Sequence, residues 1–149
     1  MTAAKRKGTA FETLLVRALT AFGIKAYRPA QAGRTDVGDL HGLSPFIGQC
    51  KAYKSWEEAI RLGLDGAEKQ RVHAGEAYGV AFVKRVRRSV GEAYAVTTVA
   101  TFARLLIRLR RAEEALAAVA PDTAKALALW AADELAQEFP RGTEGKDTE

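Results

Sequence analysis

The segment from residue 45 to residue 85 most constrains the fold of this chain. The stretches "PFIGQCKAY" and "AYGVAFVKR" have the length and apolar content of β-strands, and a helical pattern separates them. Ser55 and Glu58 have the spacing of a capping box, so a helix is predicted to begin after Ser55. Gly63 and Gly66 predict a break in this helix, with a second helical segment after them.

Further elements are predicted on both sides of this segment. "KGTAFETLLVRALTAFG" carries apolar residues at helical spacing, with Thr9 as its predicted N-cap and Gly23 at its end. "IKAYRPA" and "LHG" predict short strands on either side of the loop "QAGRTDVGD". After the basic turn "VRRSVGE", "AYAVTTVA" predicts the last strand. Pro121 separates two further predicted helices, "TFARLLIRLRRAEEALAAV" and "TAKALALWAADELAQEF".

This order of elements predicts an α/β fold with a mixed central β-sheet flanked by helices. Residues 1–110 are predicted to form one domain that contains the whole sheet. Residues 111–139 are predicted to form a C-terminal helical extension, and residues 140–149 a disordered acidic tail.

The net charge of +5 conceals an uneven distribution along the chain. Residues 1–110 contain 19 Lys and Arg against 9 Asp and Glu, whereas residues 111–149 contain 4 against 9. A basic body favours a polyanionic partner such as nucleic acid, although scattered, solvated surface charges explain the same balance.

Several classes of protein do not fit this sequence. No apolar stretch approaches the roughly 20 residues that a membrane span needs, and "MTAAKRKGTAFE" lacks a secretory apolar segment. The single cysteine, Cys50, rules out an intramolecular disulfide and a zinc site built from cysteines. The sequence therefore predicts a cytoplasmic protein without membrane association.

Four residues are predicted to converge on one site. Gln49 and Lys51 are two apart on a strand, so their side chains leave the same face, while Cys50 faces the core. Asp39 opens the neighbouring strand, and Glu12 lies on the flank of the first helix, where it is expected to be half-buried and to need a partner. Carboxylate and amide oxygens suit Mg²⁺ or Mn²⁺ better than zinc.

These residues resemble the site of the PD-(D/E)XK nuclease superfamily, most closely in its archaeal-type and phage-type Holliday junction resolvases. The resemblance runs from about residue 7 to residue 106 and rests on "KGTAFE", "GDLHG", "GQCK" and "AEKQR" in that order. It implies a restriction-endonuclease-like fold in which residues 1–110 are the nuclease domain. It also implies a catalytic set of Glu12, Asp39, Gln49 and Lys51, with the metal held by Asp39, Gln49 and Glu12.

Gln49 departs from the family pattern, which usually has Glu or Asp at this position. An amide still offers one oxygen to a hard cation but removes one negative charge, so weaker metal binding is expected. Asp39 fits the family's aspartate better than Asp36, which is left as a residue that supports the ligands from behind or as an alternative ligand. His41 alternates with Asp39 on its strand and is a candidate for the edge of the site.

The predicted DNA contacts are basic or polar residues of the N-terminus, the central loop, the helix after Lys51 and the basic turn. They are Lys5, Arg6, Lys7, Arg34, Lys54, Lys69, Gln70, Lys84, Arg85, Arg87 and Arg88. Such residues grip the phosphate backbone without reading its sequence.

The sequence thus predicts a metal-dependent endonuclease that hydrolyses DNA phosphodiesters. The resemblance favours a homodimeric resolvase that makes paired nicks in a four-way junction. Two alternatives stay open: a general, repair or restriction-like nuclease of the same fold, and a DNA-binding module whose catalytic site has decayed.

Overall fold

The structure is a computed structural model that describes residues 3–29 and 38–136. Its helices and strands follow in the order α1 (Ala3–Ala21), β1 (Leu40–Leu43), β2 (Phe46–Lys51), α2 (Trp56–Ala74), β3 (Tyr78–Val83), a 3₁₀ helix (Val90–Glu92), β4 (Tyr94–Val96), α3 (Val99–Val119) and α4 (Pro121–Ala136). The chain divides into two compact units, the first ending at Thr97 and the second beginning at Thr98.

The first unit contains a four-stranded mixed sheet in the order β1-β2-β3-β4. β2 pairs with β1 in antiparallel fashion and with β3 in parallel fashion, and β4 lies antiparallel to β3. The parallel pair requires a crossover connection, which α2 supplies. The predicted class, α/β with a mixed sheet flanked by helices, is therefore confirmed.

The two faces of the sheet bury different side chains. On one face Phe11 and Leu15 of α1 pack with Leu40 and Cys50 in the principal hydrophobic cluster. On the other face α2 packs against β3, where Ala59 lies against Ala81 and Val83. The inward direction of Cys50 is confirmed. The predicted apolar face of the first helix is confirmed at Phe11 and Leu15, whereas Leu14 and Phe22, which share the helical spacing, are 43% and 46% exposed.

α2 begins as the sequence predicted but continues without the predicted break. Ser55 accepts a hydrogen bond from the backbone N–H of Glu58 at 3.3 Å, and Gly75 ends the helix with a left-handed φ of 70°. The prediction that Gly63 and Gly66 break the helix is wrong. Both glycines face the sheet, where a Cβ on Gly63 would lie 2.9 Å from the Cβ of Ala81.

The ends of the first predicted elements also differ from the structure. α1 begins at Ala3, so Thr9 lies inside the helix and is not its N-cap. The predicted strand "IKAYRPA" is reduced to one antiparallel bridge between Tyr27 and His41. Helical propensity before Thr9 extends α1, since nothing in that stretch stops a helix.

The later elements are displaced by a helix cap that the sequence prediction overlooked. β4 has three residues, because Thr98 caps α3 by accepting a hydrogen bond from the backbone N–H of Thr101 at 3.1 Å. Pro121 separates α3 from α4 as predicted, although α4 begins at the proline itself, a favourable first helical position.

The second unit consists of α3 and α4, which pack against each other. The sequence prediction divided the chain after residue 110, whereas the compact units divide before α3. The predicted tail, residues 140–149, lies outside the described residues. No helix in the described part of the chain is both long and apolar enough to span a membrane.

Candidate functional site

Asp39 lies where the loop before β1 joins the sheet, and β2 holds its carboxylate. The backbone N–H of Asp39 donates to the carbonyl oxygen of Gly48 at 2.9 Å. Its Oδ2 accepts a hydrogen bond from the backbone N–H of Cys50 at 2.7 Å and another from Nε2 of Gln49. Two donors on one oxygen fix the direction of this carboxylate.

Gln49 is buried between β2 and α2, with 5% of its surface exposed. Its Nε2 donates to Asp39, and its Oε1 has no hydrogen-bond partner among the described residues. The reverse orientation of the amide would set Oε1 against a carboxylate oxygen, so the charge of Asp39 selects this orientation. Gln49 therefore acts here as a donor to Asp39, whereas the sequence prediction used its oxygen as a metal ligand.

Lys51 ends β2 and leaves the sheet on the same side as Gln49. A Cβ on Gly63 would lie 3.3 Å from Cγ of Lys51, and one on Gly66 would lie 3.3 Å from Oε1 of Gln49. The two side chains thus follow the same face of α2, as the two-residue spacing predicted. The Nζ of Lys51 lies 6.0 Å from the ring centroid of Tyr53, within the range of a cation–π contact.

Glu12 lies on α1 with 18% of its side chain exposed, so the predicted half-buried position is confirmed. Its partner is Arg28, whose Nε donates to Oε2 of Glu12 at 2.7 Å. The sequence predicted that Glu12 needs a partner but did not identify Arg28. Glu12 lies on α1 and Arg28 lies in the segment after it, so their contact could not be read from helical spacing.

Cys50 shows that the charged members of the site share one environment. Burial raises the pKa of the Cys50 thiol, and the negative charges of Asp39 and Glu12 raise it further. Lys51 and Arg28 act on the same thiol in the opposite direction. All four charged groups therefore lie close enough to influence a single buried sulfur atom. A thiol with a raised pKa is a poor nucleophile, so Cys50 is not a candidate for nucleophilic catalysis.

The oxygen atoms of these side chains are of the type that binds a hard divalent cation. Their present arrangement, however, does not direct them to a common point. Glu12, Asp39 and the oxygen of Gln49 form the all-oxygen set that Mg²⁺ and Mn²⁺ prefer, and Oε1 of Gln49 is a buried acceptor without a partner. In the structure Glu12 is paired with Arg28, and Gln49 directs Nε2 and not Oε1 toward Asp39. The described residues contain no group of three His, Cys, Asp or Glu placed to hold a metal.

Most of the predicted DNA contacts are on the surface. Lys54, Lys84, Arg85 and Arg88 line one cleft, and the exposed members elsewhere are Arg6, Lys7, Lys69 and Arg87. Arg34, Asp36 and the side chain of Lys5 lie outside the described part of the chain.

Gln70 does not suit the DNA contact predicted for it, because only 2% of its surface is exposed. It lies on the face of α2 that packs toward Gly38, where a Cβ would approach Oε1 of Gln70 to 3.4 Å. Its position places it against Gly38, next to Asp39. His41 lies against Tyr27, with ring centroids 5.7 Å apart, and its buried Nε2 has no partner among the described residues.

Sequence reasoning overlooked three aromatic residues beside the basic cleft. Tyr53, Trp56 and Tyr94 line it together with the four cations. The available signal was their position: each lies at a strand end or in a first helical turn, where an aromatic side chain has little core to enter.

Comparison with known proteins gave no significant match, whether with family models, characterised proteins or solved structures. The function of this chain therefore has to be inferred from the geometry of its own residues.

Proposed function

We propose that this protein is a metal-dependent DNA endonuclease that hydrolyses phosphodiester bonds, and more narrowly a resolvase of branched DNA. The observation that carries the proposal is the placement of Asp39 directly before β1, beside Gln49 and Lys51 on the partner strand β2. Gln49 contacts Asp39 directly, and Lys51 follows on the same face. Glu12 lies on α1, whose residues Phe11 and Leu15 pack with Cys50 on the opposite face of the sheet.

The order of the elements supports this proposal. "KGTAFE" lies on α1, "GDLHG" runs into β1, "GQCK" is on β2, and "AEKQR" is on α2 before the parallel strand β3. This is the order of the motifs in the PD-(D/E)XK nucleases that the sequence resembles. A restriction-endonuclease-like fold is accordingly part of the proposal.

The residues of the chain would divide the chemistry between them. Asp39, Glu12 and Oε1 of Gln49 would hold a divalent cation, which supplies an activated water and neutralises charge on the phosphate when it is bound. The ammonium group of Lys51 would orient the attacking water and stabilise the negative charge that develops on the phosphate oxygens. The two hydrogen bonds to Oδ2 hold Asp39 in place before any ligand arrives.

The substrate follows from charge and from the resemblance. Exposed cations lie on α1, on α2 and in the segment between β3 and β4, and they suit a phosphate backbone read without regard to sequence. A four-way junction is favoured by the resemblance to resolvases, and a homodimer would set two nicks symmetrically across it.

A second function, a DNA-binding module without chemistry, is favoured by one specific observation. Each carboxylate of the proposed site has a protein partner: Glu12 pairs with Arg28, and Asp39 accepts from Gln49 and Cys50. In this alternative the polar residues stabilise the junction of α1 with the sheet, and the basic residues alone bind DNA.

The proposal is tested with a labelled four-way junction and a linear duplex of matching sequence, each incubated with Mg²⁺ or with EDTA. We expect paired, symmetric nicks in the junction that require Mg²⁺. Cleavage of both substrates would favour a general nuclease, and binding without metal-dependent products would favour the binding module.

The matched variants are Asp39→Asn and Asp65→Asn. Asparagine at residue 39 keeps an oxygen that can accept both present hydrogen bonds, so the loss of negative charge is the main change. Asp65 is an exposed residue of α2 and provides the same change of charge away from the proposed site. We expect Asp39→Asn to abolish nicking and Asp65→Asn to leave it intact.

A further inference from the structure

A cleft of about 250 Å³ lies beyond the carboxyl ends of the parallel strands β2 and β3. Tyr53 and Lys54 reach it from the segment after β2, and Trp56 from the first residue of α2. Tyr94 of β4 and four residues that follow β3 complete the lining, namely Lys84, Arg85, Val86 and Arg88. Ligands of open α/β sheets commonly bind at this edge, outside the carboxyl ends of the strands.

Three of the lining side chains are aromatic and substantially exposed. The ring centroids of Trp56 and Tyr94 are 6.4 Å apart at an interplanar angle of 52°, so the rings form the angled walls of one recess. The guanidinium carbon of Arg85 lies 4.9 Å from the ring centroid of Tyr94. Trp56 is 55% exposed. So large an apolar surface in contact with water is unfavourable unless a ligand covers the indole ring.

The charge of the lining is positive throughout. Its four ionised side chains belong to Lys54, Lys84, Arg85 and Arg88. The nearby Glu92 does not line the cleft, because its Oε2 accepts hydrogen bonds from the backbone N–H and the hydroxyl of Ser89. Glu92 also contacts Arg88 at 3.4 Å, so that cation is partly neutralised. Lys54 and Lys84 have no ion-pair partner in the described part of the chain.

We propose that this cleft binds one unpaired nucleotide of a nucleic acid strand. The base would stack against Trp56 and Tyr94, and the phosphates on either side would contact Lys54 and Lys84. A recess of about 250 Å³ is smaller than the roughly 300–1,000 Å³ of sites for drug-sized ligands, so it suits a single base. Aromatic faces flanked by cations are the usual means of binding single strands without sequence preference.

An acidic peptide is the competing ligand, and the aromatic walls argue against it. Carboxylates would satisfy the cations but would leave the exposed face of Trp56 without a planar partner, whereas Arg85 already lies over the ring of Tyr94. Every nucleobase offers a π face and carries its phosphate at a fixed short distance, so a nucleotide uses both features of the cleft.

The inference extends the proposed nuclease function but can be tested apart from it. Tyr53 borders both sites, since its ring lies beside the Nζ of Lys51 and also lines the cleft. A strand with one base in the cleft would therefore pass close to Lys51. Unpaired or unstacked nucleotides of this kind occur at the centre of branched DNA.

The test measures the binding of a fluorescein-labelled oligothymidine 12-mer in EDTA, where no metal-dependent cleavage occurs. Trp56→Ala is compared with Trp130→Ala, because Trp130 is equally exposed at 56% but lies on α4, in the second unit. We expect Trp56→Ala to weaken binding by roughly 5- to 150-fold and Trp130→Ala to leave it unchanged. Trp56→Phe, which keeps an aromatic face, should retain most of the affinity.

A second readout does not depend on the folding of an alanine variant. The chain has two tryptophans, so in Trp130→Phe the fluorescence arises from Trp56 alone. We expect its emission to be quenched in proportion to the bound 12-mer. Unchanged emission at saturation, or equal affinities of Trp56→Ala and Trp130→Ala, would overturn the proposal.

Two competitors distinguish the source of the ligand. Thymidine monophosphate should compete far more weakly than the 12-mer, since it lacks the neighbouring phosphates. Equal competition by thymidine monophosphate would make the cleft a mononucleotide site. Displacement of the 12-mer by a polyglutamate peptide at equal charge would make it a site for acidic proteins. Either result contradicts strand binding. Quenching of Trp56 without Mg²⁺-dependent nicking would leave this inference standing and remove the proposed nuclease function alone.

Discussion

Nε2 of Gln49 donates a hydrogen bond to Oδ2 of Asp39, so an amide lies beside Asp39 at the position where the nuclease pattern that the sequence resembles usually has a second carboxylate. This contact gives Asp39 a partner without any metal. It also turns Oε1 of Gln49 away from Asp39, into a buried position against α2. The amide therefore stabilises the present position of Asp39, and under the proposed function it would have to rotate before both residues could bind one cation.

Replacing Gln49 by glutamate tests this relationship. In Gln49→Glu two carboxylates would meet, which raises the pKa of one of them above its unfolded value. The stabilising contribution of that group is present below about pH 4.3 and is lost as the pH rises through the folded pKa. We expect the variant in EDTA at pH 7 to lose about 2 kcal/mol of unfolding free energy, measured by urea denaturation.

Metal should reverse this loss in Gln49→Glu. Mn²⁺ at about 100 times its dissociation constant would return about 2.7 kcal/mol to the variant. Gln49→Met removes the donor without adding a charge, so it should lose stability that Mn²⁺ does not restore. If Mn²⁺ stabilises both variants equally, residue 49 is not a metal ligand.

Arg28 should compete with the metal for Glu12. Their contact of 2.7 Å occupies one oxygen of the carboxylate, so removing the guanidinium makes this oxygen available. We expect Arg28→Met to bind Mn²⁺ more tightly than the wild type in titrations without DNA, and to lose about 1 kcal/mol of stability. An unchanged Mn²⁺ affinity would remove Glu12 from the metal ligands. Arg17→Met, which alters an exposed arginine of the same helix, provides the control.

The two glycines of α2 should respond differently to alanine. A Cβ on Gly63 would lie 2.9 Å from the Cβ of Ala81, an atom fixed to the sheet, whereas one on Gly66 would meet the side chain of Gln49 at 3.3 Å. Alanine gains about 1 kcal/mol of helix propensity at either position, and overpacking costs about 1–3 kcal/mol. We expect Gly63→Ala to unfold at lower urea concentration and Gly66→Ala to remain within about 0.5 kcal/mol of the wild type. A stabilised Gly63→Ala would contradict the close contact of α2 with β3.

The thiol of Cys50 should make the stability of the protein depend on alkaline pH. Its folded pKa is raised, chiefly by burial and then by Asp39 and Glu12, so its contribution is complete below the unfolded pKa of about 8.5. Above that value the unfolding free energy of the wild type should decrease with pH more steeply than that of Cys50→Ala. The difference between the two slopes should be up to about 1.4 kcal/mol per pH unit. Parallel stability curves for the two proteins between pH 8.5 and 10.5 would show that the thiol ionises equally in both states.

Local signals in the sequence predicted much of the fold correctly. Three features were predictable because residues close in sequence determine them. They are the cap at Ser55, the break at Pro121 and the shared face of Gln49 and Lys51. The same signals failed at Gly63 and Gly66, because a glycine that admits a close helix–sheet contact looks the same in sequence as one that ends a helix. Only the packing of β3 against α2 distinguishes the two cases.

The site was predictable in its residue types but not in its contacts. The rule that a half-buried carboxylate needs a partner applied to Glu12, yet Arg28 becomes its neighbour only when the chain returns beside α1. The direction of the Gln49 amide follows from the charge of Asp39 across two strands. The aromatic cleft was missed because its walls come from segments far apart in sequence.

The central claim is that Lys51 acts on the scissile phosphate, and the single-turnover rate of nicking tests it most directly. The rate is measured with Mg²⁺ at saturating four-way junction for the wild type, Lys51→Ala and Lys125→Ala, the last being an exposed lysine of α4. We predict that Lys51→Ala nicks at least about 100-fold more slowly with an unchanged dissociation constant for DNA, while Lys125→Ala matches the wild type. Equal rates for Lys51→Ala and the wild type, or no Mg²⁺-dependent nicking by the wild type, would contradict it.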